Sequence, residues 1–191
     1  MIVVPRMILG ESVVGAPWRI LLIAACVSGC SGHAAEDPPV AVMTSLVDLE
    51  GRPAACSAPV NGALVLVFYS TECPISNAYS PTLQDLARRF GARVRFVGVC
   101  VDPDLGHGQV VKHAREFGLR FPIVRDPVGR LCRRFSVAVV PEVVVFDVRG
   151  QVRYQGRIDD QFAARQKRNA VSQHQELADA LDAVLSGRAV L

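Results

Sequence analysis

Hydrophobic and polar positions change period along the chain, and the changes mark out its elements. "ALVLVFYS" (63–70) is a continuous apolar run of strand length, the pattern of a strand buried on both faces. Tyr79, Leu83, Leu86, Ala87 and Phe90 then recur at three- and four-residue intervals, which predicts a helix closed by Gly91. "VRFVGVCV" (94–101) repeats the buried-strand pattern. In "GQVVKHAREFG" (108–118), Val110, Val111, Ala114 and Phe117 share the apolar side of a helix that stops at Gly118. "FPIV" (121–124) reads as a short strand and "PVGRLCRRF" (127–135) as a short helix. "EVVVFDVRGQVRYQGR" (142–157) reads as two strands around a turn at Arg149–Gly150. In "SQHQELADALDAVLSG" (172–187), Leu177, Ala180, Leu181, Val184 and Leu185 form a helical stripe, with Ser172 as the expected cap and Gly187 as the stop. An earlier segment, "SLVDLEGR" (45–52), predicts a short strand ending in a turn at Gly51. Strands alternating with helices imply an α/β fold: a central mixed sheet, mostly parallel, flanked by helices on both faces, with the last hairpin as an antiparallel edge.

The first forty residues follow a different pattern. Arg19 precedes "ILLIAACV" (20–27), an apolar run too short for a comfortable membrane span. Small residues follow in "VSGC" (27–30), so residues 1–29 read as an export signal. The small-small-Cys ending resembles a bacterial lipoprotein signal, which implies cleavage before Cys30 and a lipid on its thiol. An ordinary signal or a short anchor helix with an incidental cysteine are the alternatives, and Met7 is an alternative start. Residues 30–42, including "SGHAAEDPPVA", are small, polar and Pro-rich, the composition of a flexible tether. The folded domain is expected over 43–191.

Composition adds limits. Half of the 191 residues are apolar, enough for a packed core, and the net charge is +3. Basic pairs such as Arg88–Arg89 and Arg133–Arg134 are scattered on helix-like stretches and read as solvated faces, not as a nucleic-acid surface. Of six cysteines, Cys26 and Cys30 fall in the leader and Cys56, Cys73, Cys100 and Cys132 in the domain. Their irregular spacing and the lack of a close Cys/His cluster argue against zinc, and no cofactor is implied.

The candidate chemistry lies in "TECPISNAYSP" (71–81). Cys73 ends a buried strand and opens a helix, where free N–H groups and the helix dipole favour a thiolate. Pro74 suits the first helical turn, Ser76 is placed to point a hydroxyl at the sulfur or to satisfy backbone, and Glu72 opposes the thiolate by charge. The bland reading of Cys73 is a small buried apolar residue at the top of a strand.

"LVFYSTECPISNAYSPTLQDLA" resembles the active-site segment of the thioredoxin superfamily, with Phe68–Tyr69 as the aromatic pair, Cys73 as the attacking cysteine and Pro81 as the helix-kinking proline. "VAVVPEVVVFDVRGQ" resembles the second signature, which implies a cis peptide at Val140–Pro141, with Pro141 lining a substrate groove. The likeness runs from about Leu46 to Leu185. The extra strand and helix between Val101 and Ser136 resemble the redoxin branch, which holds TlpA-like thiol–disulfide proteins and AhpC/TSA peroxidases. The resemblance implies a thioredoxin-like fold with that strand–helix insertion and, as partners, protein thiols or disulfides and a reductase.

Departures from three family patterns narrow the activity. Ser76 replaces the second motif cysteine and Val67 the buried acid, so a dithiol reductase is not expected. A single nucleophilic cysteine then needs a resolving thiol, from Cys100, Cys132, a substrate or a partner. Cys100 ends the neighbouring strand, Cys132 lies shortly before Pro141, and the bland reading of both is packing. For a peroxidase, Ser70 fits, but Leu66 replaces the motif proline and Pro141 stands where the arginine is expected. Copper binding of the Sco type is disfavoured because Asn77 occupies the second cysteine's place, and His107 and His113 read as surface residues. "GRIDDQF" (156–162) reads as a solvated loop or a partner-binding edge. A non-catalytic peptide-binding module remains the alternative from another class.

Overall fold

A long buried strand anchors the sheet because every one of its side chains is apolar and covered on both faces. This strand, β2 (Ala63–Tyr69), follows a short β1 (Ile2–Val3) in the computed structural model. The remaining strands are β3 (Val94–Cys100), β4 (Ile123–Arg125), β5 (Val139–Val140), β6 (Glu142–Phe146), β7 (Val152–Gly156), β8 (Phe162–Ala164) and β9 (Lys167–Arg168). The helices are α1 (Pro74–Ala78), α2 (Ser80–Phe90), α3 (His107–Glu116), α4 (Arg130–Arg134) and α5 (Glu176–Leu185). The structure describes residues 2–3, 46–164, 167–168 and 172–190, all within one unit, Met1–Val4 with Asp37–Leu191. Apart from Ile2–Val3, the leader predicted from sequence lies outside the described residues, as do Cys30 and the tether.

The five-stranded sheet runs β4-β3-β2-β6-β7. β3 pairs parallel with β2 and β4 parallel with β3, while β6 and β7 are antiparallel. In register, Tyr69 stands opposite Cys100 and Phe68 opposite Glu142. The β6–β7 turn closes at Gly150, whose φ of 73° few other residues adopt. Side chains alternate between two cores. Leu64, Leu66, Phe68, Val97, Val99, Val144 and Phe146 pack with Leu131 and Cys132 of α4 on one face. Val65, Val67, Val143 and Val145 pack under α2 and α5 on the other, through Leu83, Leu86, Phe90, Leu177 and Leu181. Each fully buried Leu or Phe stabilises the fold by about 1.5–3 kcal/mol in transfer free energy. A third cluster places Tyr69, Cys100 and Ile123 beneath Val110 and Ala114 of α3. Sequence periodicity thus finds the mixed sheet and its covering helices, including the α3–β4–α4 segment between Val101 and Ser136.

Two local expectations are corrected. The described part of that segment, residues 46–52, does not form a strand; isolated bridges join Val47 to Pro53 and Asp48 to Val124. The Asp48 carboxylate accepts the N–H groups of Glu50 and Arg52, both at 2.9 Å, and this side-chain turn replaces strand pairing. Ser172 does not cap α5, which begins at Glu176; its hydroxyl lies 2.9 Å from both Asp160 Oδ1 and His174 O. The helix expected to open at Cys73 and kink at Pro81 is present as two helices, α1 and α2, with the break beside Pro81, which has no N–H to give back.

Candidate active site

Cys73 occupies the N-cap of α1 in an extended conformation (φ −84°, ψ 111°), with Pro74 opening the helix. Its N–H donates to Ser70 O at 3.2 Å, closing the turn out of β2, and its carbonyl accepts the Asn77 N–H at 3.1 Å. The sulfur is fully buried. As a thiol it donates to Val140 O at 3.6 Å, so Cys73 meets the residue before Pro141 across the fold. The Val140–Pro141 peptide is cis.

Burial alone raises the Cys73 pKa, because a thiolate loses water there. The N–H and hydroxyl of Ser76 and the N–H of Ile75, at the start of α1, oppose burial by favouring the thiolate, and the thiol sits below its ordinary value. The Ser76 hydroxyl is buried and makes no other hydrogen bond; the ionised sulfur is the acceptor that satisfies it. The other three domain thiols have no comparable donor set. Burial pushes Cys56 up to about 11, and Cys100 and Cys132 up to about 12, the last two also opposed by Asp102 and Asp126. Among the described residues no disulfide joins these cysteines.

Of the two candidate resolving thiols, Cys132 shares a core cluster with Cys73, Phe68 and Val140. Cys100 belongs to the cluster under α3 with Tyr69 and Val110, on the other side of the sheet. Facing alternation along β3 sends Val99 and Cys100 opposite ways, a signal available from sequence.

The edge of β5 is taken by Ile2–Val3, antiparallel, with Ile2 opposite Val140 and Val3 opposite Val139. That pairing displays the backbone groups an extended segment meets beside Pro141.

Several residues near the site were misread or missed. His113 is buried, not a surface residue: it lies between the rings of Tyr69 (5.8 Å) and Phe117 (4.5 Å). Its place three after Val110 and four before Phe117 was the missed signal. His113 Nε2 is 2.8 Å from Asn77 Oδ1, and Asn77 Nδ2 donates to Thr71 O at 2.9 Å. Burial lowers the His113 pKa against the pull of Asp102 and Glu116. Asp102, not singled out from sequence, accepts the Thr71 N–H and Thr71 hydroxyl on one oxygen, both at 2.8 Å. "GRIDD" is no solvated loop at its aspartates. Asp159 and Asp160 are buried, Asp159 accepting the Tyr79 hydroxyl at 2.5 Å and Asp160 the Gln173 N–H at 2.9 Å. Among the described residues no group of three or more His, Cys, Asp or Glu is disposed to hold a metal, and no helix is long and apolar enough to cross a membrane.

The AhpC/TSA family matches residues 39–155, more than half of the chain. Among solved structures, an uncharacterized conserved protein from Geobacillus kaustophilus is similar at 24% identity and a TM-score of 0.67, covering 76% of this chain and 80% of its own. A secreted Mycobacterium tuberculosis disulfide oxidoreductase homologous to E. coli DsbE is similar at 22% identity and a TM-score of 0.54, covering 72% and 93%. The DsbF protein of MTB, in mixed oxidized and reduced forms, is similar at 20% identity and a TM-score of 0.55, covering 74% and 95%. No curated protein matches by sequence. At these identities the structures establish the thioredoxin-like fold, and the family match establishes descent: the chain belongs to the AhpC/TSA family of thioredoxin-like redoxins.

Proposed function

We propose that the protein is an exported thiol–disulfide oxidoreductase acting through one nucleophilic cysteine, Cys73. The observation that carries this reading is the buried Ser76 hydroxyl, set against the Cys73 sulfur beside the Ile75 and Ser76 N–H groups. Two neutral backbone donors and a hydroxyl with no other use make a thiolate pocket, whereas a packing cysteine needs none of them. The two M. tuberculosis structures, described as a disulfide oxidoreductase and as DsbF in oxidized and reduced forms, support the same reaction class.

The reaction balances without a cofactor. The Cys73 thiolate attacks one sulfur of a substrate disulfide. The substrate S–S bond breaks, a Cys73–substrate disulfide forms, and the other substrate sulfur leaves as a thiolate that takes up a proton. A second thiolate then attacks the mixed disulfide. A thiol of this chain or of a partner attacks the Cys73 sulfur, releases the substrate as a thiol and carries the new disulfide with Cys73. The substrate's own thiol instead attacks the substrate sulfur, re-forms a substrate disulfide and releases Cys73 as a thiolate. Because Ser76 cannot supply that thiol, it comes from Cys132, Cys100, the substrate itself or a partner reductase; sharing a core with Cys73 favours Cys132 over Cys100. The sulfur is enclosed, so substrate access requires the groove beside β5 to open. Pro141 lines that groove, and the β5 edge supports binding of an extended segment, since Ile2–Val3 pairs there. The export signal of residues 1–29 and lipid attachment at Cys30 place this chemistry on the periplasm-facing membrane surface, where disulfides persist.

Titration of the Cys73 thiolate by its ultraviolet absorbance, with Cys73→Ser as the blank, tests the proposal. A pKa clearly below the ordinary value of about 8.5 is expected. A value at or above it, with no mixed disulfide trapped, would sink the reading. Loss of detergent-phase partitioning in Cys30→Ser tests the anchor.

A further inference from the structure

Thr71, two residues before Cys73, is gripped on both of its peptide groups. Its N–H and hydroxyl donate to a single oxygen of Asp102, each at 2.8 Å, from the loop after β3. Its carbonyl accepts the Asn77 amide at 2.9 Å, from within α1. Because Asn77 Nδ2 faces Thr71, Oδ1 faces His113, and the 2.8 Å contact requires the proton on His113 Nε2. His113 Nδ1 is buried with no partner, which fits that neutral tautomer, and the ring is locked between Tyr69 and Phe117. Three elements thus converge on one turn: the end of β3, α1 and α3.

We propose that Asp102 and Asn77, the latter oriented by His113, are positioning residues for Cys73: they hold the Thr71 turn so that the sulfur meets the donors of Ile75 and Ser76. This rests on the nucleophile reading above. The residue types fit the task. Asp102 is an acceptor that satisfies two donors on one residue. Asn77 is both donor and acceptor, so it alone bridges a carbonyl and a histidine N–H. It also occupies the helix position at which a second cysteine was sought, so that position serves the turn and not a second sulfur. Any effect of the carboxylate's charge on Cys73 has the opposite sign, because an anion disfavours a thiolate. Asp102 is therefore kept for geometry despite its charge, and geometry and charge predict opposite signs when it is replaced.

The test is the pH profile of Cys73 alkylation by iodoacetamide in the reduced full chain, read on the Cys73 peptide by mass spectrometry. Wild type, Asp102→Ala, Asp102→Asn and Asn77→Ala are compared, each checked for native circular dichroism. Loss of the grip weakens a charge-assisted hydrogen bond to the sulfur, so Asp102→Ala is expected to raise the Cys73 pKa by about one unit and slow alkylation at neutral pH about tenfold. Asp102→Asn keeps an amide oxygen for Thr71 and restores the wild-type profile or lowers it slightly. Asn77→Ala moves the profile the same way as Asp102→Ala and stands in if that variant does not fold. A fall in pKa of equal size in Asp102→Ala and Asp102→Asn would show a charge effect and overturn the proposal. So would an unmoved profile in both Ala variants while wild type stays low. A wild-type pKa at or above about 8.5 instead contradicts the nucleophile reading itself.

Discussion

Replacing Ser76 with Ala separates what the hydroxyl does for chemistry from what it does for the fold. In the protein with Cys73 protonated, Ser76 is 5% exposed and its buried hydroxyl makes no hydrogen bond. An unsatisfied buried polar group costs about 1–3 kcal/mol. Alanine removes that cost and leaves a space of only one oxygen atom. Ser76→Ala is therefore expected to be more stable by about 1 kcal/mol below the Cys73 pKa, a melting-temperature rise of roughly 2–4 °C for a domain of this size. With Cys73 ionised the sign reverses. A hydrogen bond to a charged acceptor contributes about 1.5–3 kcal/mol, and one pKa unit corresponds to about 1.4 kcal/mol. The hydroxyl is one of several donors that favour the thiolate, the N–H groups of Ser76 and Ile75 among them, so its loss raises the Cys73 pKa by about one unit. The linkage follows. Because the folded-state pKa of Cys73 lies below the unfolded value, its contribution is present above the unfolded pKa and lost as pH falls through the folded pKa. The stability advantage of Ser76→Ala thus shrinks as pH rises toward 8.5. Urea unfolding at several pH values, paired with thiolate absorbance, measures both effects. A variant that is less stable by more than about 1 kcal/mol at acid pH, with an unmoved Cys73 pKa, would refute the reasoning and make Ser76 a packing residue.

Other outcomes follow from neighbouring groups. Tyr79→Phe removes the hydroxyl that donates to the buried Asp159, and an unfolding free energy lower by about 2 kcal/mol is expected in urea titrations. His113 has a lowered pKa, so the unfolded chain takes up its proton first; stability should fall as pH drops below about 6.5, with the ring still neutral by NMR at the start of that fall. Cys56, Cys100 and Cys132 have raised pKa values, so their contribution is full below the unfolded pKa and is lost as pH rises toward 11–12; above pH 9 unfolding should become easier even in Cys73→Ser. If Cys132 resolves, Cys132→Ser accumulates the Cys73–substrate disulfide on non-reducing gels while Cys100→Ser does not.

Sequence pattern reached the sheet because its central strands are apolar throughout: β2 is readable as a buried strand without any knowledge of its neighbours. It reached Cys73 and Ser76 because a thiol and its donors lie within four residues on one helix start. It did not reach Asp102. "VDPD" reads as an ordinary turn after a strand, and the partner, Thr71, is 31 residues away. His113 was readable in part, since it falls in the stripe of Val110, Ala114 and Phe117, but its polar tip outweighed its position. Asp159 and Asp160 failed differently: paired aspartates after a strand look solvated, and the Tyr79 hydroxyl and the Ser172 segment that satisfy them are distant in sequence. Side chains that act within one turn are legible from one sequence, whereas those whose partners arrive by tertiary contact are not.

The proposed function requires Cys73 to meet a disulfide before any other domain thiol does. The direct measurement is incubation of the reduced full chain with a small aromatic disulfide at neutral pH, with adducts located by peptide mass spectrometry over time. The first adduct is expected at Cys73, forming faster than on free cysteine and passing to a Cys73–Cys132 disulfide if Cys132 resolves, with no adduct on Cys56, Cys100 or Cys132 before it. Labelling of those three before Cys73, or a Cys73 slower than free cysteine, would contradict it.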